Sequence, residues 1–205
     1  MFTSAGEDRW HLFDDLPWGF NDVIFHRGRF LAVSWNGILH ALDIKGGSIE
    51  VRVIMDPWTG SPEIREEITD YNQRFLVADD ATGDLLQVWR NYEWTDDSCT
   101  TDKIKVVRCD QKQNRLIPLD NLGDRALFLG IGSSVLLSSS EVRGLRRNCI
   151  YLTDNWWDTV FADDVRTWNR DVGIYNMENA TFEPYHPPDP RFYWPPPVWI
   201  TPALS

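Results

Sequence analysis

Hydrophobic and polar positions follow one another in short runs along this chain, and turn residues break the runs at close intervals. In Asn21 to Ile54, Val23-Ile24-Phe25 leads into the turn His26-Arg27-Gly28, and Phe30-Leu31-Ala32-Val33 follows. Asn36-Gly37 is a hairpin turn, Ile38 to Ile44 returns, and Gly46-Gly47 turns the chain into Ile49 to Ile54. Alternating runs of this length bounded by Asn-Gly and Gly-Gly predict four antiparallel strands. Pro57, Gly60 and Pro62, followed by an acidic run to Tyr71, mark a crossover. Phe75-Leu76-Val77-Ala78, the turn Asp80 to Asp84 and Leu85 to Tyr92 repeat the order strand, turn, strand. Gly37 and Gly83 are read as equivalent, 83 − 37 = 46 residues apart, a spacing that four-stranded propeller blades give. Glu93 to Asp102 is polar and is read as a loop, and Ile104 to Cys109 and Arg115 to Leu119 supply two outer strands.

The most strand-like stretch is Asn121 to Asp154. Ala126 to Leu129 stops at Gly130-Ile131-Gly132-Ser133, Val135 to Leu137 returns, Ser140 to Arg147 is a connecting turn, and Cys149 to Thr153 opens another strand. Trp156 to Asn169 is a long loop rich in tryptophan and aspartate. Val172 to Asn176 and Thr181 to Tyr185 make a further hairpin, and a proline-dense segment delivers Val198-Trp199-Ile200 as a last short strand. The pattern predicts an all-β fold of about four four-stranded antiparallel blades in an incomplete propeller ring. An irregular segment spans 1–20 and the propeller domain 21–205.

Composition narrows the function classes. A net charge of −11 argues against a surface built to neutralise phosphates, and it disfavours anionic membranes. The sequence has no secretory leader pattern and no apolar stretch of membrane-spanning length, so a cytoplasmic or nuclear protein is expected. Cys99, Cys109 and Cys149 are widely spaced and fit neither a disulfide framework nor a zinc site. Eleven tryptophans fit wide wedges between small sheets, and they equally fit a sugar-binding surface.

Candidate chemistry is sparse. Asp79, Asp80, Asp163 and Asp164 are the acidic pairs a glycosidase would need, but adjacent aspartates in hairpin loops ordinarily form turns. His11, His26, His40 and His186 are scattered, without metal-ligand spacing. The serines at 133–134 and 138–140 lack a nucleophile elbow. Arg143, Arg146 and Arg147 read as a solvated turn, and Pro195 to Pro197 as a rigid spacer. No catalytic residue, metal ligand or cofactor site is assigned. Trp156, Trp157 and Trp168 in the long loop are the candidate partner-binding residues, because tryptophan is enriched at interface hot spots.

Leu122 to Gly130, Gly144-Leu145-Arg146, Asn148 to Asp154, Asp171 to Asn176 and Pro195 to Pro202 together resemble the signature of the plant KIB-type β-propeller family. This family is kelch-like and often F-box-associated. The resemblance runs collinearly from about Gly28 to the end, and no F-box helices are visible ahead of it. It implies a non-catalytic protein-interaction module, which in F-box-bearing relatives holds a target for ubiquitination by an SCF-type ligase. A carbohydrate-binding or glycoside-hydrolysing propeller is the alternative.

Overall fold

The computed structural model describes Asp8, residues 19–45, 48–61, 64–68, 70–95, 98–130, 132, 134–153 and 171–185, and Trp199. The first sheet is the antiparallel meander β1 (Phe20–His26), β2 (Arg29–Ser34), β3 (Leu39–Lys45) and β4 (Ser48–Met55). Arg27 and Gly28 both have positive φ (49° and 81°), the geometry of a two-residue turn whose twist matches its strands. Two four-residue helices then cross to the next sheet, α1 (Pro57–Gly60) and α2 (Arg65–Ile68). Asp56 caps α1 by accepting from the Trp58 amide, and Pro57 stands at the first helical position, where a missing N–H costs nothing.

The second sheet is β5 (Gln73–Asp79), β6 (Asp84–Thr95), β7 (Ser98–Asp110) and β8 (Arg115–Leu119), again antiparallel in chain order. The third holds β9 (Arg125–Leu129), β10 (Val135–Ser138), β11 (Cys149–Leu152), β12 (Gly173–Asn176) and β13 (Thr181–Pro184), in the order β10-β9-β11-β12-β13. Among the described residues no helix is long and apolar enough to cross a membrane.

The second sheet is buried on both faces, and its period-two alternation divides the core. Leu76, Leu85, Trp89, Val107 and Cys109 join Leu31, Val33, Leu39 and Ala41 of the first sheet. Phe75, Val77, Leu86, Val88, Ile104 and Val106 join Leu127, Leu129, Ile150 and Leu152 of the third. Each such large side chain contributes about 1.5–3 kcal/mol on burial. Polar members of the first interface find partners locally, except that Arg74 Nε has none among the described residues. Gln87 donates to the Gly37 carbonyl at 3.0 Å and accepts from the Trp89 indole at 3.0 Å. Arg74 donates to the carbonyls of Tyr71 and Ile68, the latter the last residue of α2. Burial lowers the Arg74 pKa to about 10, so it stays charged at neutral pH.

Contacts between sheets concentrate on their first strands: β1 and β2 lie against β5, and β10 lies against β5. On the far side α1 lies against β8. Sheets that meet through the strands at one edge, with α1 and α2 filling the interface between the first two, fit propeller blades around an axis.

Three finer expectations need correction. Of the three blade-sized sheets within the described residues, which fit an incomplete propeller, the first two are four-stranded antiparallel meanders. The third has five strands and is not wholly antiparallel, because β11 pairs in parallel with β9. The reason is the path of the chain. β10 returns it to the start of β9, residues 139–148 cross beneath that start, where Ser139 bonds to Asp124 and Asn148 to Arg125, and β11 joins the free side of β9. Two hairpins that look separate in sequence therefore share one sheet. Glu93 to Asp102 is no simple loop either, since β6 and β7 stay paired out to Thr95 and Ser98 with a bulge at Asn91/Tyr92. Finally, Gly37 joins the second and third strands of its sheet, whereas Gly83 joins the first and second of the next; the residue equivalent to Gly83 is Gly28, 83 − 28 = 55 residues before it. Residues 1–7 and 9–18 of the expected irregular segment lie outside the described residues. So does the expected last strand apart from Trp199, which is in no strand.

Candidate partner-binding surface

The amide of Thr153, just past β11, donates to the Leu129 carbonyl at 2.9 Å and so extends the parallel pairing by one bond. Gly130 must be small here, because a side chain on it would strike the Thr153 hydroxyl. The Trp199 indole donates to the same Leu129 carbonyl at 2.8 Å, and its ring stands edge-on to Phe128, which stacks on Tyr151 at 4.7 Å. Asp171, where the described chain resumes, is almost fully buried.

One side chain from the second sheet reaches both Thr153 and Asp171. Arg90 of β6 is fully buried and donates through Nη1 to the Thr153 carbonyl at 3.3 Å. Through Nη2 it donates to the Asp171 carbonyl at 3.4 Å and to the Asp171 carboxylate. Its Nε donates to the Thr101 hydroxyl at 2.8 Å, and that hydroxyl donates to Asp171 Oδ2 at 2.7 Å. The guanidinium also lies 4.7 Å from the centre of the Tyr92 ring. A buried ion pair is tolerable only when its other polar atoms find partners; Nε, Nη1 and Nη2 of Arg90 each have one, while Asp171 Oδ1 has none among the described residues. The arrangement fixes both ends of the segment 154–170 to one rigid sheet.

Trp156, Trp157 and Trp168, the sequence-predicted binding residues, lie in that segment and outside the described residues, as do Asp163, Asp164, His11, His186 and Pro195 to Pro197. Sequence reasoning missed Arg90, Thr101 and Asp171. The visible signal is an arginine within the otherwise strand-like run Leu85 to Tyr92, where a charge is out of place unless something meets it.

The remaining candidates serve the fold. Asp79 pairs with Arg125 of β9 and accepts from the amides of Ala81 and Thr82, so it holds a turn and ties two sheets. Burial pushes its carboxyl up, but the bonds from Arg125 and Thr82 outweigh this and leave it below the usual carboxylate range. Asp80 is exposed in the same turn. The two therefore do not face each other as an acid and base pair would. His40 bonds the Ser34 hydroxyl at 2.7 Å, and burial lowers its pKa and keeps it neutral. Ser138 bonds Asp124 and Ser140. Cys109 and Cys149 are buried free thiols, and burial pushes the Cys109 pKa up to about 12. Among the described residues no group of three or more His, Cys, Asp or Glu side chains is placed to hold a metal.

Comparison with known proteins agrees with this geometry. The family model described as KIB1-4 β-propeller matches residues 1–176. The F-box protein At2g17036 of Arabidopsis thaliana is 23% identical over 94% of this chain and 48% of its own length. The F-box protein SKIP23 of Arabidopsis thaliana is 24% identical over 94% of this chain and 48% of its own length. The chain thus spans about half the length of the curated relatives it matches. No solved structure matches it.

Proposed function

Since the chain belongs to the KIB1-4 β-propeller family, we propose that it is a non-catalytic protein-interaction module. Its binding loop is the segment between Thr153 and Asp171, with Trp156, Trp157 and Trp168 as contact residues. The observation that supports this most directly is the buried Arg90 clamp, which holds the two ends of that segment to the central sheet. Ends fixed on a sheet present the residues between them from a defined site, which is how binding loops are commonly carried.

The names of the F-box relatives support a finer reading. In it, the module holds a protein for ubiquitination by an SCF-type ligase in the cytoplasm or nucleus, without engaging nucleic acid or membrane. Affinity capture with the tagged 205-residue chain is expected to recover a stoichiometric protein partner while a glycan array stays silent. Glycan binding without a protein partner would favour the carbohydrate-binding propeller and end the proposal.

A further inference from the structure

The end of the molecule opposite Thr153 and Asp171 carries a second feature. Asp22 of β1 accepts from the Leu76 amide of β5 at 2.8 Å, and Arg27 reaches Gly83, so β1 and β5 finish at the same end. Asp79 at the finish of β5 meets Arg125 at the start of β9. Thr153 and Asp171 belong to the other end, beyond the finish of β9. At the first end, between the hairpin turns of the first and second sheets, lies a cleft of about 570 Å³. It is lined by His26, Arg27, Arg29, Arg108 and Lys112 together with Asp84 and Asp110.

Four permanent cations against two carboxylates is the reverse of the balance in a chain of net charge −11. The carboxylates are also engaged. Asp110 accepts from the Lys112 and Gln113 amides to form the β7–β8 turn, and Asp84 lies 3.9 Å from Arg108. Among the described residues Arg27, Arg29 and Lys112 have no carboxylate partner. Arg27 sits at φ 49°, a conformation that disfavours an L side chain by roughly 1–2 kcal/mol, where glycine or asparagine is the ordinary choice. Its guanidinium lies where a side chain on Gly83 would be, so the glycine leaves it room at the cleft mouth. An arginine held in an unfavourable turn, aimed across a cleft and left unpaired, has the character of a ligand contact.

We propose that this cleft binds a short anionic segment of a partner protein, a run of aspartate and glutamate or a phosphorylated residue, through Arg27, Arg29, Arg108 and Lys112. The volume falls in the range of small-ligand sites, roughly 300–1,000 Å³. A long polyanion is disfavoured because the chain's net charge of −11 would repel it.

The test is fluorescence anisotropy with the full chain and four labelled probes: an acidic peptide, a phosphoserine peptide, a neutral glutamine-rich peptide and a single-stranded oligonucleotide. The two anionic peptides are expected to bind, the neutral one not. The exposed-site variant Arg27→Gln/Arg29→Gln/Lys112→Gln is expected to weaken binding by roughly tenfold or more, as is a rise from about 0.02 M to about 0.15 M salt. Preference for the phosphoserine peptide identifies phosphate as the anion, and equal binding identifies carboxylate; either supports the proposal. Equal binding by wild type and variant, no anionic peptide bound, or an oligonucleotide bound as tightly as the peptides would overturn it. Circular dichroism of the variant excludes unfolding. Because the cleft is at the end opposite Thr153 and Asp171, loss of partner capture in Trp156→Ala/Trp157→Ala with anionic-peptide binding intact separates the two surfaces.

Discussion

Charged residues inside this protein are held in ways that make their removal measurable. The side chains of Arg90 and Asp171 are 0% and 2% exposed, so removing one strands the other in low dielectric. Asp171→Ala is expected to cost about 3–5 kcal/mol in denaturant unfolding. Replacing both, as Arg90→Met/Asp171→Leu, should recover much of that loss; a double variant no better than the single would remove the ion pair as the cause. Asp79 makes a pH-dependent contribution. Its folded pKa lies below its unfolded value, so the stabilisation is present above about pH 4 and is lost as pH falls through the folded pKa. Asp79→Asn is expected to lower stability at neutral pH and flatten the acid side of the stability profile. An unchanged acid slope would contradict the role given to Arg125. Neither site was legible from composition, since a sequence shows that Arg90 interrupts an apolar run but not what meets it 81 residues later.

At the scale of elements, the sequence reading succeeds where strand partners are neighbours in the chain. The first sheet follows the pattern strand for strand because Asn36-Gly37 and the glycine at 28 fix its hairpins locally. It fails where pairing is long-range or the strand is polar. Nothing in Cys149 to Leu152 tells that its partner is Ala126 to Leu129 in parallel. The outer ends of β6 and β7 are held by the backbone ladder, to which residues such as Glu93 and Thr100 give no hydrophobic signature. The join between α1 and the β7–β8 turn was equally hidden. Gly60 packs so closely on the Asn114 carbonyl that any side chain would collide with backbone, while Asn114 bonds both the Asp56 amide and Thr59. Gly60→Ala is expected to destabilise by about 1–3 kcal/mol with the wild-type circular dichroism spectrum retained, read as a lowered unfolding midpoint. An unchanged midpoint would show that the turn yields.

For the molecule as a whole, the central sheet has both faces covered, whereas the first leaves several large side chains exposed on its outer face. Val23, Phe25, Phe30 and Val53 are 40–63% exposed and share that face by register, Phe25 resting edge-on against Phe30. Such a face is what a further blade covers in a propeller, in keeping with a chain half the length of its relatives. The all-β class was readable from the turn-bounded runs and the family from the resemblance centred on Asn121 to Asp154, whereas the 46-residue spacing matched two turns that are not equivalent. The proposed binding segment was readable only as a tryptophan-rich gap between strands, and the anchoring of Thr153 and Asp171 by Arg90 needed three-dimensional contacts. The most direct test of that loop is calorimetric titration of the captured partner into the wild-type chain and into Trp156→Ala/Trp157→Ala. Binding weakened by at least about 2 kcal/mol, with the unfolding midpoint unchanged, is the expected result. Equal affinity in the two would contradict the assignment of this loop as the partner-binding surface.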